Sequence, residues 1–207
     1  MTNNINYIFG YGSLVDSESL KLFLGRDRLN ANDWQFCRLS GYRRIWNVSM
    51  NNCSDVNGYK YYIDPKSQIR PDISVTFLNV HIHSKTSIAG LLLQVSPDEL
   101  ELVDRRERNY KRIDVSENIN IPVKGKAWVY IGLKESVERY RKAFTDGKAV
   151  ISKSYYKLVY NAFLSYGKDS AADYLATTDA PKIPQMYLKL INNNYLQVPY
   201  QLTCYIN

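Results

Sequence analysis

Tyr7-Ile8-Phe9-Gly10-Tyr11-Gly12-Ser13-Leu14 decides how the rest of this chain is read. Ile5 to Phe9 is a short apolar run, the pattern of a strand, and Gly10 and Gly12 break it sharply on either side of Tyr11. Asp16 or Ser17 can then cap a helix, and Leu20, Phe23 and Leu24 have the spacing of one helical face. The chain therefore opens as strand, glycine loop and helix. Two glycines at a strand end let a ligand approach the backbone closely. Successive N–H groups there, with a helix start nearby, can hold a carboxylate or a developing oxyanion. An ordinary tight turn fits the same residues. No Gly-Lys-Ser/Thr and no third glycine follow, so the loop is neither a Walker loop nor a dinucleotide fingerprint.

Outward from this unit, residues 34–48 read as one or two strands around Ser40-Gly41. Residues 51–72 are polar and turn-rich, with Asn57-Gly58, Asp64-Pro65 and Arg70-Pro71, and read as an insertion or long surface loop. Residues 74–81 and 88–95 read as paired strands joined by the polar turn Ser84-Lys85-Thr86-Ser87. Ser96-Pro97-Asp98-Glu99 has a cap, a first-turn proline and the glutamate of a capping box, and predicts a helix to about Arg108. Residues 111–115 and 126–132 follow as strands. Beyond Gly132 the pattern turns helical. Ser152 can cap a segment whose apolar positions are Tyr155, Leu158, Val159, Ala162, Phe163 and Tyr166, closed by Gly167. Shorter helices are expected over 170–177 and 184–192. Strands early and helices late imply an α+β arrangement, one domain over 1–207.

The composition narrows the function. At 207 residues and 45% hydrophobic, with 18 Tyr, the chain can bury a sizeable core. Its net charge of +7 is spread out, Arg43-Arg44 and Arg105-Arg106 being the densest pairs. No long basic run and no nucleic-acid-binding pattern occurs, so the charge reads as a solvated surface favouring an anionic small substrate, not nucleic acid. Cys37, Cys53 and Cys204 are too few and too widely spaced for a disulfide framework or a zinc site. His81 and His83 share one face of a strand but have no recognisable third ligand, so no metal is expected. The first apolar stretch is too short for a signal segment and no run reaches the ~18 residues of a spanning helix, so a cytoplasmic, non-membrane protein is expected. The sequence assigns no oligomeric state.

The carboxylate of interest is Glu107. It lies seven residues beyond Leu100 on the helix opened by Ser96, and at about 100° per residue it points within roughly 20° of Leu100, towards the core. Burial raises the pKa of a carboxyl towards neutrality, the condition for reversible proton transfer. On helical phase alone, an ion pair with Arg105, Lys111 or Arg112, or a frayed last turn facing water, is the commoner outcome.

Taken together, these stretches resemble a family. Residues 7–14 resemble the opening signature of γ-glutamyl cyclotransferases and their relatives, the γ-glutamylamine cyclotransferases and glutathione-degrading ChaC-type enzymes. Ile88-Ala89-Gly90-Leu91-Leu92 is similar to the family strand before the catalytic helix. Leu102-Val103-Asp104-Arg105-Arg106-Glu107, with Tyr110 and Arg112 after it, is similar to the family's Leu-Asp-x-x-Glu…Tyr-x-Arg stretch, except that Val103 intervenes before Asp104. The resemblance runs from about Tyr7 to Gly167 and covers 51–72 poorly. It implies a small mixed β-barrel flanked by helices. It places Tyr11, Gly12, Ser13 and Leu14 on the substrate loop and Glu107 as the acid/base. Tyr155 falls near a substrate-contacting tyrosine, with Tyr156 the competing assignment. Arg43, Arg44 and Arg112 are candidate carboxylate partners. The implied activity converts a small γ-glutamyl compound to 5-oxoproline and a free amine, without metal or cofactor. A non-catalytic member of the same fold, binding a small ligand or a protein, is the alternative.

Overall fold

The computed structural model describes residues 5–26, 33–54 and 59–191. Their strands are β1 (Asn6–Gly10), β2 (Trp34–Asn51), β3 (Tyr61–Ile63), β4 (Ser74–Val95), β5 (Tyr110–Asp114), β6 (Lys126–Gly132), β7 (Ala149–Ser152), β8 (Gln185–Met186) and β9 (Lys189–Ile191). The helices are α1 (Ser17–Leu24), α2 (Pro97–Arg106), α3 (Lys134–Thr145), α4 (Lys153–Ser165) and α5 (Lys168–Ala176). Among the described residues, seven strands form one mixed sheet in the order β5-β6-β1-β4-β7-β8, with β2 on the far edge of β4, and β3 pairs with β9 in a separate ribbon. The expected α+β class is what the chain adopts: a central mixed sheet flanked by helices.

The sheet is buried on both faces, which is why its strands read as nearly continuous apolar runs. Successive side chains of β1 point to opposite faces. Ile8 packs with Leu91, Leu93, Leu100 and Val103 on the side of α1 and α2. Phe9 packs with Trp46, Leu78, Ile151, Phe163 and Tyr174 on the side of α4 and α5. The sheet also curls. At the end of β6, Gly132 N donates to Asn79 Oδ1 at 2.7 Å, and Tyr110 Oη, at the start of β5, donates to Leu78 O at 2.7 Å. These bonds bring the β5–β6 edge against the first half of β4, so the curl closes through side-chain bonds rather than through a further ladder.

Residues 84–87 do not reverse the chain as expected. β4 is one strand of 22 residues that pairs along its length with β2. Ser40 pairs with Ser87 and Tyr42 with Ile82, so β4 carries its extra residues as an excursion opposite Gly41. Gly41 has φ 84°, which a side chain rarely adopts. The polar stretch marks solvent exposure, with residues 82–85 exposed, and the strand continues through it because β2 is long enough to pair with both halves.

Three other expectations are corrected. The 184–192 segment forms β8 and β9 instead of a helix, because its main chain is taken by neighbouring strands: Ile151 N donates to Pro184 O at 2.9 Å, and Lys189 to Ile191 pair with β3. Asn192 lies outside the described residues. The 51–72 segment, expected as an insertion or long surface loop, carries the short strand β3 and is anchored at Asn52. Asn52 is fully buried, accepts from Tyr62 N and donates to Tyr62 O and Pro71 O. The Asn57-Gly58 turn, Cys204 and the side chain of Phe23 are outside what is described. Finally, α2 ends at Arg106, short of Arg108.

At the other end of α2 the capping box forms. Ser96 Oγ accepts from Glu99 N at 3.2 Å, and Glu99 Oε2 accepts from Ser96 N at 2.8 Å. Ser96→Ala should cost about 1 kcal/mol of stability, read as a lowered urea midpoint at unchanged slope. A change below ~0.3 kcal/mol would show that the cap contributes nothing. No described helix is long and apolar enough to cross a membrane.

Candidate active site

Two local features meet because the strand pairing makes them meet. Asn6 pairs with Val95 and Gly10 with Leu91, so β4 delivers the chain to the beginning of β1. Only Ser96 separates β4 from α2, and α2 runs back along β1, its Leu100 and Val103 packed on Ile8. Ten helical residues rise ~15 Å. The five residues of β1 span ~16 Å. The end of α2 therefore arrives level with the loop that follows Gly10. There the chain turns tightly. A Cβ on Gly10 would lie 2.5 Å from the Leu14 carbonyl oxygen, so only glycine lets the loop fold onto the strand end. Ser13–Val15 makes a single 3-10 turn, and Asp16 caps α1 by accepting from Ser19 N at 3.0 Å.

At this junction Phe9, Tyr11, Gly12, Ser13, Leu14, Leu78, Glu107, Tyr110, Tyr130 and Tyr155 line one cavity of about 30 Å³. All six positions singled out in the sequence, Tyr11, Gly12, Ser13, Leu14, Glu107 and Tyr155, are on its wall. Glu107 sits one residue beyond α2, at φ −86° and ψ 47°. Its main chain is held on both sides, N to Val103 O at 2.9 Å and O from Tyr110 N at 2.8 Å. Its side chain is 16% exposed, and the nearest cation is Arg106, with Nε 3.7 Å from Oε1. Arg105 instead reaches Glu101, and Arg112 bonds Asp104 at 2.8 Å. The main-chain N–H groups of Gly12, Ser13 and Leu14 donate to no described residue, while Gly12 O and Ser13 O are taken by Val15 and Asp16.

Tyrosines make up most of the remaining wall, and their hydroxyls are tied into the frame. Tyr11 Oη donates to Tyr130 O at 2.6 Å, Tyr130 Oη to Asp104 Oδ1 at 2.6 Å, and Arg112 completes the chain on the other Asp104 oxygen. Tyr155 interacts with the Ser13 side chain and the Leu78 main chain. Burial first, and then the Glu107 carboxylate, holds the Tyr11 and Tyr155 hydroxyls well above the usual phenol range. Tyr110 and Tyr130 are raised chiefly by burial as well. These four groups are neutral hydroxyls at physiological pH. Tyr156, the competing assignment, faces away and stacks on Trp46 at 5.5 Å.

The candidate carboxylate-binding arginines are all occupied elsewhere. Arg43 bonds Asp179 at 2.6 Å and the Ala176 carbonyl. Arg44 is fully buried beneath the loop. It donates to Tyr11 O at 2.9 Å, to Thr177 Oγ1 at 2.8 Å and to Ala89 O, and its guanidinium lies 4.7 Å from the Phe163 ring centre. It holds the glycine loop from behind, through Tyr11 O, and does not line the cavity. Phe9 belongs to the cradle segment expected from the sequence, whereas Leu78, Tyr110 and Tyr130 are wall residues that the sequence did not single out for the site. The four come from β1, β4, β5 and β6, and only the sheet order brings them together. Among the described residues no group of three or more His, Cys, Asp or Glu could hold a metal. His81 and His83 have their ring centres 6.2 Å apart.

No family model matches the chain, and no curated protein does. Among solved structures, one named as a gamma-glutamyl cyclotransferase is 11% identical, with 86% of this chain and 91% of that one covered, at a TM-score of 0.47. An uncharacterized protein from Homo sapiens is 12% identical, covering 87% and 94%, also at 0.47. A protein from Arabidopsis thaliana solved in solution is 16% identical, covering 70% and 87%, at 0.41. At such identities and scores the likeness establishes neither an activity nor the role of any residue.

Proposed function

We propose that the chain is a cyclotransferase that converts a γ-glutamyl compound to 5-oxoproline and releases the amine. The observation that carries this reading is the shared cavity: a mostly covered carboxylate, Glu107, lines the same space as Gly12, Ser13 and Leu14, whose main-chain N–H groups donate to no described residue. A γ-glutamyl substrate brings its own nucleophile, an α-amino group that is protonated at neutral pH and inert until a base removes the proton. Glu107 takes that proton. The free amine attacks the γ-carbonyl carbon, the new C–N bond closes a five-membered lactam, and the original amide C–N bond breaks. Glu107 returns the proton to the departing nitrogen and is a carboxylate again, while the second proton shed by the attacking nitrogen as it becomes the lactam N–H also goes to the leaving amine, which departs as an ammonium. No water is consumed.

Ring closure is intramolecular, so holding the glutamyl chain folded supplies much of the acceleration. The N–H groups of Gly12, Ser13 and Leu14 are suited to the glutamyl carboxylate or to the tetrahedral oxyanion. Tyr155, kept neutral by its surroundings, offers a hydroxyl beside Ser13. The cavity of about 30 Å³ holds little more than a water molecule. Substrate binding therefore requires the wall to open outward.

The test is incubation with γ-glutamyl amino acids, γ-glutamyl-ε-lysine and glutathione, with 5-oxoproline measured by mass spectrometry. Formation of 5-oxoproline with an equimolar amine is the expected result. Its absence across the panel overturns the reading, and ligand binding without turnover would favour the non-catalytic alternative.

A further inference from the structure

The last turn of a helix favours cations, because its unsatisfied carbonyls carry partial negative charge. Arg105 and Arg106 of α2 follow that rule, and Asp104 in the same turn breaks it. The Asp104 side chain is 39% exposed, so water alone could solvate it, yet both carboxylate oxygens are held by the sheet. Tyr130 Oη donates to Oδ1 at 2.6 Å, and Arg112 Nη1 donates to Oδ2 at 2.8 Å. Arg112 on β5 and Tyr130 on β6 are direct cross-strand partners, so their side chains share one face and converge on one acceptor. The Arg112 guanidinium also lies 4.7 Å from the centre of the Trp128 ring, which steadies its reach. Burial first, and then Asp104, keeps the Tyr130 hydroxyl protonated, so it is a standing donor at physiological pH.

The consequence falls on Glu107. The Asp104–Arg112 bond closes the chain between α2 and β5 into a loop, and Glu107 stands inside it. Within that loop Glu107 N donates to Val103 O, and Tyr110 N donates to Glu107 O. The neighbouring arginines give the sheet no comparable hold. Arg105 reaches back to Glu101 on α2, Arg108 donates to the Arg105 carbonyl, and Arg106 Nη2 meets Ser13 Oγ at a long 3.5 Å. The apolar grip of α2 lies earlier, at Leu100 and Val103. Tyr130 also serves the opposite wall. It lines the cavity, and its main-chain carbonyl accepts from Tyr11 Oη at 2.6 Å. One residue of β6 thus holds the glycine loop through its backbone and the end of α2 through its side chain.

We infer that Asp104 is a positioning residue: clamped by Tyr130 and Arg112, it fixes the end of α2 on the sheet and sets where Glu107 stands against the glycine loop. The effect on turnover rests on the cyclotransferase reading, and the clamp itself does not. Amide hydrogen exchange, resolved residue by residue by NMR, tests the clamp without substrate. In Asp104→Ala the Glu107 and Tyr110 amides should exchange about tenfold faster, while the amides of the β2–β4 ladder keep their wild-type rates. Tyr130→Phe removes one hydroxyl and leaves the carbonyl that Tyr11 uses, and it should loosen the same two amides. Asp104→Asn keeps an oxygen for Tyr130 and should stay within about threefold of wild type. A side chain that merely adds stability would speed the ladder and the end of α2 alike. That pattern, or unchanged Glu107 and Tyr110 amides in both Asp104→Ala and Tyr130→Phe, overturns the proposal.

Turnover gives the second readout. Asp104→Ala should lower kcat for 5-oxoproline formation about tenfold with KM within about threefold, since a base displaced by about 1 Å loses rate more than binding. Asp104→Asn should recover most of that loss. Full kcat in Asp104→Ala, alongside faster local exchange, would show that the clamp does not set the position of Glu107 and would overturn the proposal. If the wild type forms no 5-oxoproline, the cyclotransferase reading falls, and the exchange pattern alone decides the clamp.

Discussion

Glu107→Gln should lower kcat for 5-oxoproline formation by at least ~100-fold, because glutamine keeps the shape of the side chain and cannot carry the proton. KM should move far less, since the loop amides and the tyrosines that would grip the substrate are untouched. The fold should survive. Glu107 is held by its main chain, through Val103 O and Tyr110 N, and neither bond involves the carboxylate. Its contact with Arg106 is long, at 3.7 Å, and Arg106 is partly exposed, so the pair contributes little. Equal thermal midpoints alongside a collapse in kcat would identify a chemical role. Activity within threefold of wild type would remove Glu107 from the mechanism, whatever else in the site is right.

Arg44→Met is expected to be the most destabilising single change at the site. The side chain is fully buried, and its guanidinium serves two main-chain carbonyls, Tyr11 O and Ala89 O, as well as Thr177 Oγ1. Burial lowers its pKa to about 10, so it remains a cation at neutral pH, with the centres of the stacked Phe163 and Tyr174 rings 4.7 and 5.3 Å from its guanidinium. Methionine fills much of the volume and donates nothing. Each of the two stranded carbonyls costs about 1–3 kcal/mol, for a total of about 2–6 kcal/mol. That is a large share of the ~5–15 kcal/mol available to a domain. Arg44→Lys should fall between the two, since one ammonium cannot reproduce the fork of three donors. Urea denaturation reads the loss, and a change under ~1 kcal/mol would show that the carbonyls find other donors. Whatever Arg44→Met protein remains folded should also lose kcat, because Tyr11 O is the tether of the peptide that leads into Gly12.

Local signals carried the two ends of the site. Gly10 and Gly12 at a strand end, and the capping box at Ser96, are read from neighbouring residues, and both appear as read. The distance between them is not local. It depends on β1 pairing with the second half of β4, which no short window contains. The reading of 84–87 as a turn failed for a related reason. Polar residues between apolar runs signal exposure, and exposure accompanies both a reversal and an excursion in a continuing strand. The 184–192 segment has a helical local pattern, yet its main chain is held by β7 and β3, a tertiary claim that local propensity does not see. Arg43 and Arg44 are adjacent, yet one pairs with Asp179 at the surface and the other is sealed under the loop, because successive residues of β2 face opposite sides.

β1 comes first in chain order among the described strands, yet both of its partners lie far along the chain. It lies between β4 and β6, paired with residues 91–95 on one edge and with residues 126–128 on the other. During synthesis Ile8 and Phe9 emerge long before either partner exists. The cavity they support also waits for Tyr155 on α4. Such long-range pairing is slow to form and leaves an apolar strand edge bare in the interval. A ribosome-bound chain ending before residue 126 would therefore display β1 as a sticky, half-finished surface, a natural client for a chaperone until the parallel partner arrives.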